Sequence, residues 1–147
     1  MNALDATLWA FPPAFALHVA EEAPGFAQWA RRHASPDYTD ADFARINAAG
    51  FALSVATTAL AVRGERRGFR LHYASLTSQA VFNAVFHAST RAPGARTAAG
   101  VVLPLWLLTT ALARRRGLLD RRTIVASLAV GGPLHAAAVA HQVYRAI

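Results

Sequence analysis

The chain has no cysteine, no lysine and only one methionine in 147 residues. Without cysteine there can be no disulfide and no thiolate metal site. Without lysine, all 15 basic residues are arginine, which together with the abundant alanine suits a GC-rich coding bias and a bacterial source. Charge is scarce too: 16% of residues, against about 25% in soluble domains. The charges that exist are clumped, leaving long stretches with none, and this pattern excludes an ordinary water-soluble domain. The N-terminus lacks the basic region of a signal peptide, carries Asp5 and is interrupted by Pro12-Pro13, so it reads as the start of a membrane helix. No repeat, low-complexity tract or domain boundary is visible, so residues 1–147 read as one domain.

What the chain has in excess is apolar surface: 54% of residues, against roughly 45–50% in soluble proteins. The formal charge of +7 would suit nucleic acid, but the arginines fall in short runs between apolar segments, as in Arg63–Arg70 and Arg114–Arg122. Membrane topology accounts for that placement, and nucleic acid is set aside as a partner.

Five segments are long and apolar enough to cross a bilayer, so an all-α transmembrane bundle of about five helices is predicted. The first runs from about Leu4 to Ala23, with a kink or a late start at Pro12-Pro13. The second begins near Asp40, behind a capping-box-like Thr39 and Asp42, and ends near Val62. The third is Leu71 to Thr90, the fourth Ala98 to Ala113 and the fifth Ile124 to about Tyr144. Between the first two, Phe26 and Trp29 precede Arg31, Arg32 and His33, which predicts a short interfacial helix within Gly25–Asp37. Counting arginines on alternate sides gives nine against six, which places the N-terminus in the cytoplasm of a bacterial inner membrane.

Polar side chains inside a bilayer are costly and seldom accidental. The first helix ends in Leu17-His18-Val19-Ala20-Glu21-Glu22. Positions three and four apart share a face, so either carboxylate can lie beside the imidazole. The backbone dipole disfavours negative charge there, so the pair needs a metal cation, an arginine or a shared proton. The third helix carries Ser75, Gln79, Asn83 and His87 as one stripe, and the second a milder line of Asn47, Gly50, Ser54 and Thr58. In the fifth, Gly131-Gly132-Pro133 predicts a break in the helix just before His135, with Gln142 on nearly the same face. Because the chain alternates direction, His18, Glu21, Glu22, Asn47, His87 and His135 fall at one depth within one or two turns. That convergence is the main functional signal.

The stretch LHVAEEAPGFAQWA, Leu17 to Ala30, resembles the HXXEE domain family, whose motif His18, Glu21 and Glu22 match. FNAVFHA, with Asn83 and His87, and PLHAAAVAHQ, with Pro133 and His135, look like that family's downstream polar positions. The family consists of uncharacterised multi-pass membrane proteins, so the resemblance implies a membrane setting and no activity.

Three readings stand open. One is a membrane-embedded metal-dependent hydrolase acting on a lipid or small amphiphile. In it His18, His87, His135 and Glu21 or Glu22 hold zinc, iron or manganese, the remaining glutamate is general base, and Asn83 orients substrate or ligand. Another is a proton- or ion-handling transport protein. The last is a structural or accessory subunit whose buried polar groups are glue between helices. A homo-oligomer is compatible with each. Outside the cluster, His33, His72 and His141 read as solvated or interfacial. Trp9, Trp29 and Trp106 read as lipid-facing or interfacial anchors, and Tyr144 beside Arg145 as the closing anchor.

Overall fold

A computed structural model describes residues 2–144, and the side chains of residues 2–140. His141, Gln142, Tyr144 and Arg145, singled out above, therefore lie outside the described side chains. Six helices and no strand make up the described residues. They are α1 (Ala3–Glu22), the short α2 (Phe26–His33), α3 (Asp40–Val62), α4 (66–90), α5 (Ala95–Arg115) and α6 (Arg121–Tyr144). Helix α4 joins Arg66–Thr77 to Asn83–Thr90 through a π-helical turn at Ser78–Phe82. A second such turn, Ala98–Val102, lies in the first third of α5.

Local chemistry sets the ends. Asn2 caps α1 by accepting the Asp5 N–H at 3.0 Å. The box at α3 forms, with the Asp42 N–H donating to Thr39 Oγ1 at 3.1 Å and the Thr39 N–H to Asp42 Oδ2 at 3.0 Å. Asp120 accepts the Thr123 N–H at 2.7 Å and starts α6. The third, fourth and fifth long helices begin three to five residues before the apolar runs at Leu71, Ala98 and Ile124, because arginine is itself a good helix former.

Helix α1 lies in the core, burying Leu4, Leu8, Phe11 and Phe15 against α3, α4 and α5. It passes Pro12-Pro13 without interruption. Pro12 has no N–H for the Leu8 carbonyl, and the Thr58 hydroxyl of α3 donates to that carbonyl instead, at 3.4 Å.

The predicted break in α6 is likewise absent: the helix continues through Gly131-Gly132-Pro133. The glycines serve close packing. A Cβ on Gly132 would stand 2.9 Å from the Phe82 ring, and one on Gly131 3.2 Å from it. Phe82 closes the π-turn of α4, so α6 rides over that bulge where it carries no side chains.

The stripe on α4 also differs from a straight-helix reading. The π-turn shifts the register, so the buried face is His72, Tyr73, Leu76 and Thr77 before it, Ser78 and Ala80 within it, and Asn83 and His87 after it. Ser75 and Gln79 are only half-buried.

Two aromatic expectations change. His72 is fully buried, because α4 starts early enough to place it a full turn inside the helix, against Phe11 and Thr58. Trp106 is half-buried, its indole N–H donating to Thr77 Oγ1 at 2.9 Å. Helix α2 tucks Phe26, Ala27 and Ala30 under Tyr38 and Phe43 and exposes Arg31, Arg32 and His33.

Three helices are long and apolar enough to cross a membrane: Asp40–Val62, Ala95–Arg115 and Arg121–Ala140. Helices α1 and α4, which bring most of the polar residues described next, fall short of that apolarity. Large apolar side chains stand half-exposed along α1, α3, α4, α5 and α6, including Leu17, Leu53, Val85, Leu107 and Leu134.

Candidate metal centre

At the end of α1, His18 and Glu22 occupy one face one turn apart, and both are buried. His87, near the end of the parallel helix α4, comes to the same place. The Nε2 atoms of His18 and His87 lie 3.5 and 3.2 Å from the same carboxylate oxygen, Glu22 Oε1. The three donor atoms all lie within 4.8 Å of one another, and the rings meet edge to face at 5.0 Å.

Hydrogen bonding assigns the imidazole protons. Thr97 Oγ1 has one proton, and its shortest contact, 2.5 Å, is to Glu21 Oε2. The hydroxyl therefore donates to Glu21 and accepts from His18 Nδ1–H at 2.9 Å. With the proton on Nδ1, His18 Nε2 is a lone pair, and it accepts from the Asn83 amide at 2.6 Å. His87 Nδ1 faces the Ala92 carbonyl at 3.3 Å, an acceptor only, so Nδ1 carries that ring's proton as well. Its Nε2 is buried without a hydrogen-bond partner among the described residues and lies 3.2 Å from Glu22 Oε1. Two imidazole nitrogens and a carboxylate oxygen thus converge, with no arginine within 4.0 Å of that carboxylate among the described residues.

Glu21 and Glu22, interchangeable in the sequence, are divided by the fold. Glu21 accepts the Thr97 N–H at 2.7 Å and the Arg96 N–H at 3.3 Å, both in the first turn of α5. A carboxylate opposed by the dipole of its own helix is thereby placed at the positive end of another. Glu21 stays half-buried at the edge, outside the group of three.

His135 also stays outside it. It lines the adjoining cavity of about 280 Å³ together with His18, Glu22, Asn47, Gln79 and Asn83. Its ring is 6.0 Å from that of Phe86, and its Nε2 has no hydrogen-bond partner among the described residues. The exposed lining residues, Ala49, Leu53 and Ala138, belong to α3 and α6, which pack little on one another. A more apolar groove of about 490 Å³ between α1 and α3 shares Phe15 and Asn47 with this cavity but holds no imidazole.

Sequence reasoning missed Thr97 and Gly94. Gly94 has φ +111°, and a Cβ there would lie 2.8 Å from Glu22, 2.8 Å from His18 and 2.9 Å from His87. The loop after α4 thus closes over all three side chains with the one residue that fits. The available signal was Pro93-Gly94 followed at once by a helix start, with a hydroxyl residue in its first turn. Both π-turns adjoin the site, one just before Asn83 and the other just after Thr97.

The donor set fits a metal ion. Ligands about 2.1 Å from a tetrahedral centre stand ~3.4 Å apart; the two pairs to Glu22 measure 3.2 and 3.5 Å, and the two imidazole nitrogens, within 4.8 Å of each other, would draw together around an ion. Each imidazole also donates its far N–H to an acceptor, the usual way ligating histidines are held.

A bundle with two histidines and a carboxylate buried at one end defines the class of protein. The chain belongs to the HXXEE family, described as proteins of unknown function with an HXXEE motif, whose family model matches residues 9–146. No curated protein and no solved structure matches it.

Proposed function

We propose that the protein is a membrane-embedded metal-dependent enzyme, hydrolase-like, acting on a lipid or small amphiphile. One observation carries the reading: the Nε2 atoms of His18 and His87 both lie within 3.5 Å of one buried carboxylate oxygen, Glu22 Oε1, a concentration of donor atoms that a cation would compensate. His18, Glu22 and His87 would hold the ion. Three protein ligands leave a position open, as in catalytic sites, and nitrogen and oxygen donors suit zinc, iron or manganese.

Such an ion polarises a carbonyl or phosphoryl oxygen and acidifies a bound water. The protein's own groups would do the rest. Glu21 and Thr97 hold His18 in its tautomer, leaving Glu21 committed to α5 rather than free as a base. His135, whose Nε2 has no hydrogen-bond partner among the described residues, is the group left in the cavity wall to accept a proton from water or substrate. Asn83, which donates to His18 Nε2 at 2.6 Å, would give up that bond for His18 to serve as a ligand, and its amide would then be free to orient the substrate.

The membrane setting rests on the three apolar helices and the half-exposed apolar side chains. The rim of the cavity is formed by α3 and α6, both among those three, so an amphiphile would enter sideways from the acyl layer.

Elemental analysis of detergent-purified protein tests the proposal. Wild type should carry about one metal per chain; His87→Ala and Glu22→Gln should lose it, and His72→Ala, altering a buried histidine elsewhere, should keep it. Wild type that stays metal-free after incubation with zinc, iron(II) and manganese(II) would overturn the enzyme. A proton shared between His87 and Glu22 would then neutralise the cluster, favouring the proton-handling reading.

A further inference from the structure

Helices α4 and α6 run parallel, and their N-terminal ends lie side by side around a second cavity of about 520 Å³. Its lining is Arg70 and Ala74 from α4, with Asp120, Arg122, Thr123 and Val130 among those from the α6 end. Arg70 lies 17 residues before His87 on α4, roughly 25 Å along a helix. The cavity is therefore at the other end of the bundle from the His/Glu group, about one hydrocarbon thickness away.

The charges here oppose the backbone. A helix N-terminus is already positive and is normally complemented by acidic residues in the first turn. Helix α4 begins with Arg66 and Arg67 and reaches Arg70 one turn later; α6 begins with Arg121 and Arg122. Neither has an acidic residue in its first turn, and Glu65 before α4 makes no capping hydrogen bond. Asp120 accepts the Thr123 N–H and, lining the same cavity, offsets one of its two guanidinium charges, but neither Arg70 nor Arg122 has a carboxylate oxygen within 4.0 Å among the described residues, so the lining stays net positive. Topology alone would be satisfied by arginines anywhere in these loops. Instead they stand around two adjoining positive helix ends. Below them the cavity turns apolar, through Ala74, Ala126 and the half-exposed Val130.

We infer that this cavity binds an anionic phospholipid. The phosphodiester sits between Arg70 and Arg122, where guanidinium forks match phosphate oxygens, and one acyl chain follows Ala74, Ala126 and Val130 along the groove. Free phosphate could answer the charge but not the apolar floor. The inference is independent of the metal centre.

The test is thermal unfolding of detergent-purified full-length protein during titration with phosphatidylglycerol, phosphatidylcholine or inorganic phosphate. Phosphatidylglycerol should raise the midpoint saturably, and the other two should not. In Arg70→Ala and Arg122→Ala the lipid's apparent affinity should fall roughly fivefold for each guanidinium removed. Arg32→Ala, which removes as much charge at the other end, should titrate as wild type. Equal response to phosphatidylcholine, equal protection by phosphate, or equal loss in the control variant would each overturn the site. Should the arginine variants fail to fold, Val130→Trp, which fills the groove and keeps the charge, should weaken the lipid's effect. An unchanged titration in that variant would count against the site.

Discussion

The hydroxyl of Thr97 stands between Glu21 and His18, 2.5 Å from the carboxylate and 2.9 Å from the ring Nδ1. The first acid of the motif is thereby linked to its histidine across 76 residues of chain, through a threonine on another helix. The relay fixes which ring nitrogen of His18 faces Glu22. Thr97→Val keeps the shape and removes both bonds, so metal affinity should drop about 10–100-fold, the usual cost of losing such an outer partner. Thr97→Ser should restore most of it. Competition titration against a chelator measures this, and an unchanged affinity in Thr97→Val would show that the relay does not orient the ligand.

Gly94 should tolerate no side chain. Its φ of +111° is unfavourable for any L-residue, and the Cβ would press on His18, Glu22 and His87 at once. Gly94→Ala should cost about 1–3 kcal/mol in backbone strain and overpacking. The loop would also lift from the site, so metal should be lost along with the stability. Gly64, with φ +82° and nothing within 4 Å of where a Cβ would stand, carries the backbone penalty alone. Gly64→Ala should therefore lower the melting temperature and leave the metal content intact. Equal metal loss in both variants would refute a specific role for Gly94.

Much of this site could be read from spacing. His18 and Glu22 share a face because they are four apart, and His87 meets them because alternating helices return to the same depth. Which acid faces the histidines depends on where α5 begins, a tertiary fact that no periodicity within α1 contains. The π-turn at Ser78–Phe82 rotates Asn83 and His87 relative to Ser75 and Gln79, so four evenly spaced polar residues do not form one buried stripe. Pro12 and Gly131-Gly132 read as breaks because their local effect is to weaken a helix. In the folded chain, Thr58 takes up the carbonyl left free by one, and Phe82 fills the space left by the others.

Asp120 gives a pH dependence that can be assigned to one residue. Hydrogen bonds from the Thr123 backbone and side chain, with Arg70 and Arg122 nearby, hold its carboxyl below the ordinary carboxylate range. A carboxyl whose folded value is depressed stabilises the fold above its unfolded value, about 3.9, and that contribution is lost as pH falls through the folded value. The first turn of α6 should therefore fray below about pH 4. Asn at the same position still accepts the Thr123 N–H but does not titrate in this range. Hydrogen-exchange protection of residues 121–124 should fall from pH 6 to pH 3 in wild type and stay level in Asp120→Asn. The same fall in both proteins would assign the effect to other groups.

His72 and His87 are both fully buried on α4, and they should respond oppositely to the same substitution. His72 faces Phe11 and one hydroxyl, with Nδ1 3.3 Å from Thr58 and Nε2 without a partner among the described residues. Leucine fills similar space and removes a buried polar atom that has no partner, a change that is often neutral or stabilising. His72→Leu should then melt within about 1 kcal/mol of wild type, with metal unchanged. His87 faces a carboxylate and a second imidazole, and His87→Leu leaves Glu22 buried beside one histidine and no cation. That variant should lose the metal and also melt earlier, because a charged group loses its compensation. Melting curves and metal content, measured on the same two preparations, separate a histidine kept for packing from one kept for a ligand. If both variants kept the metal, His87 would be packing too, and the cluster would not be a site.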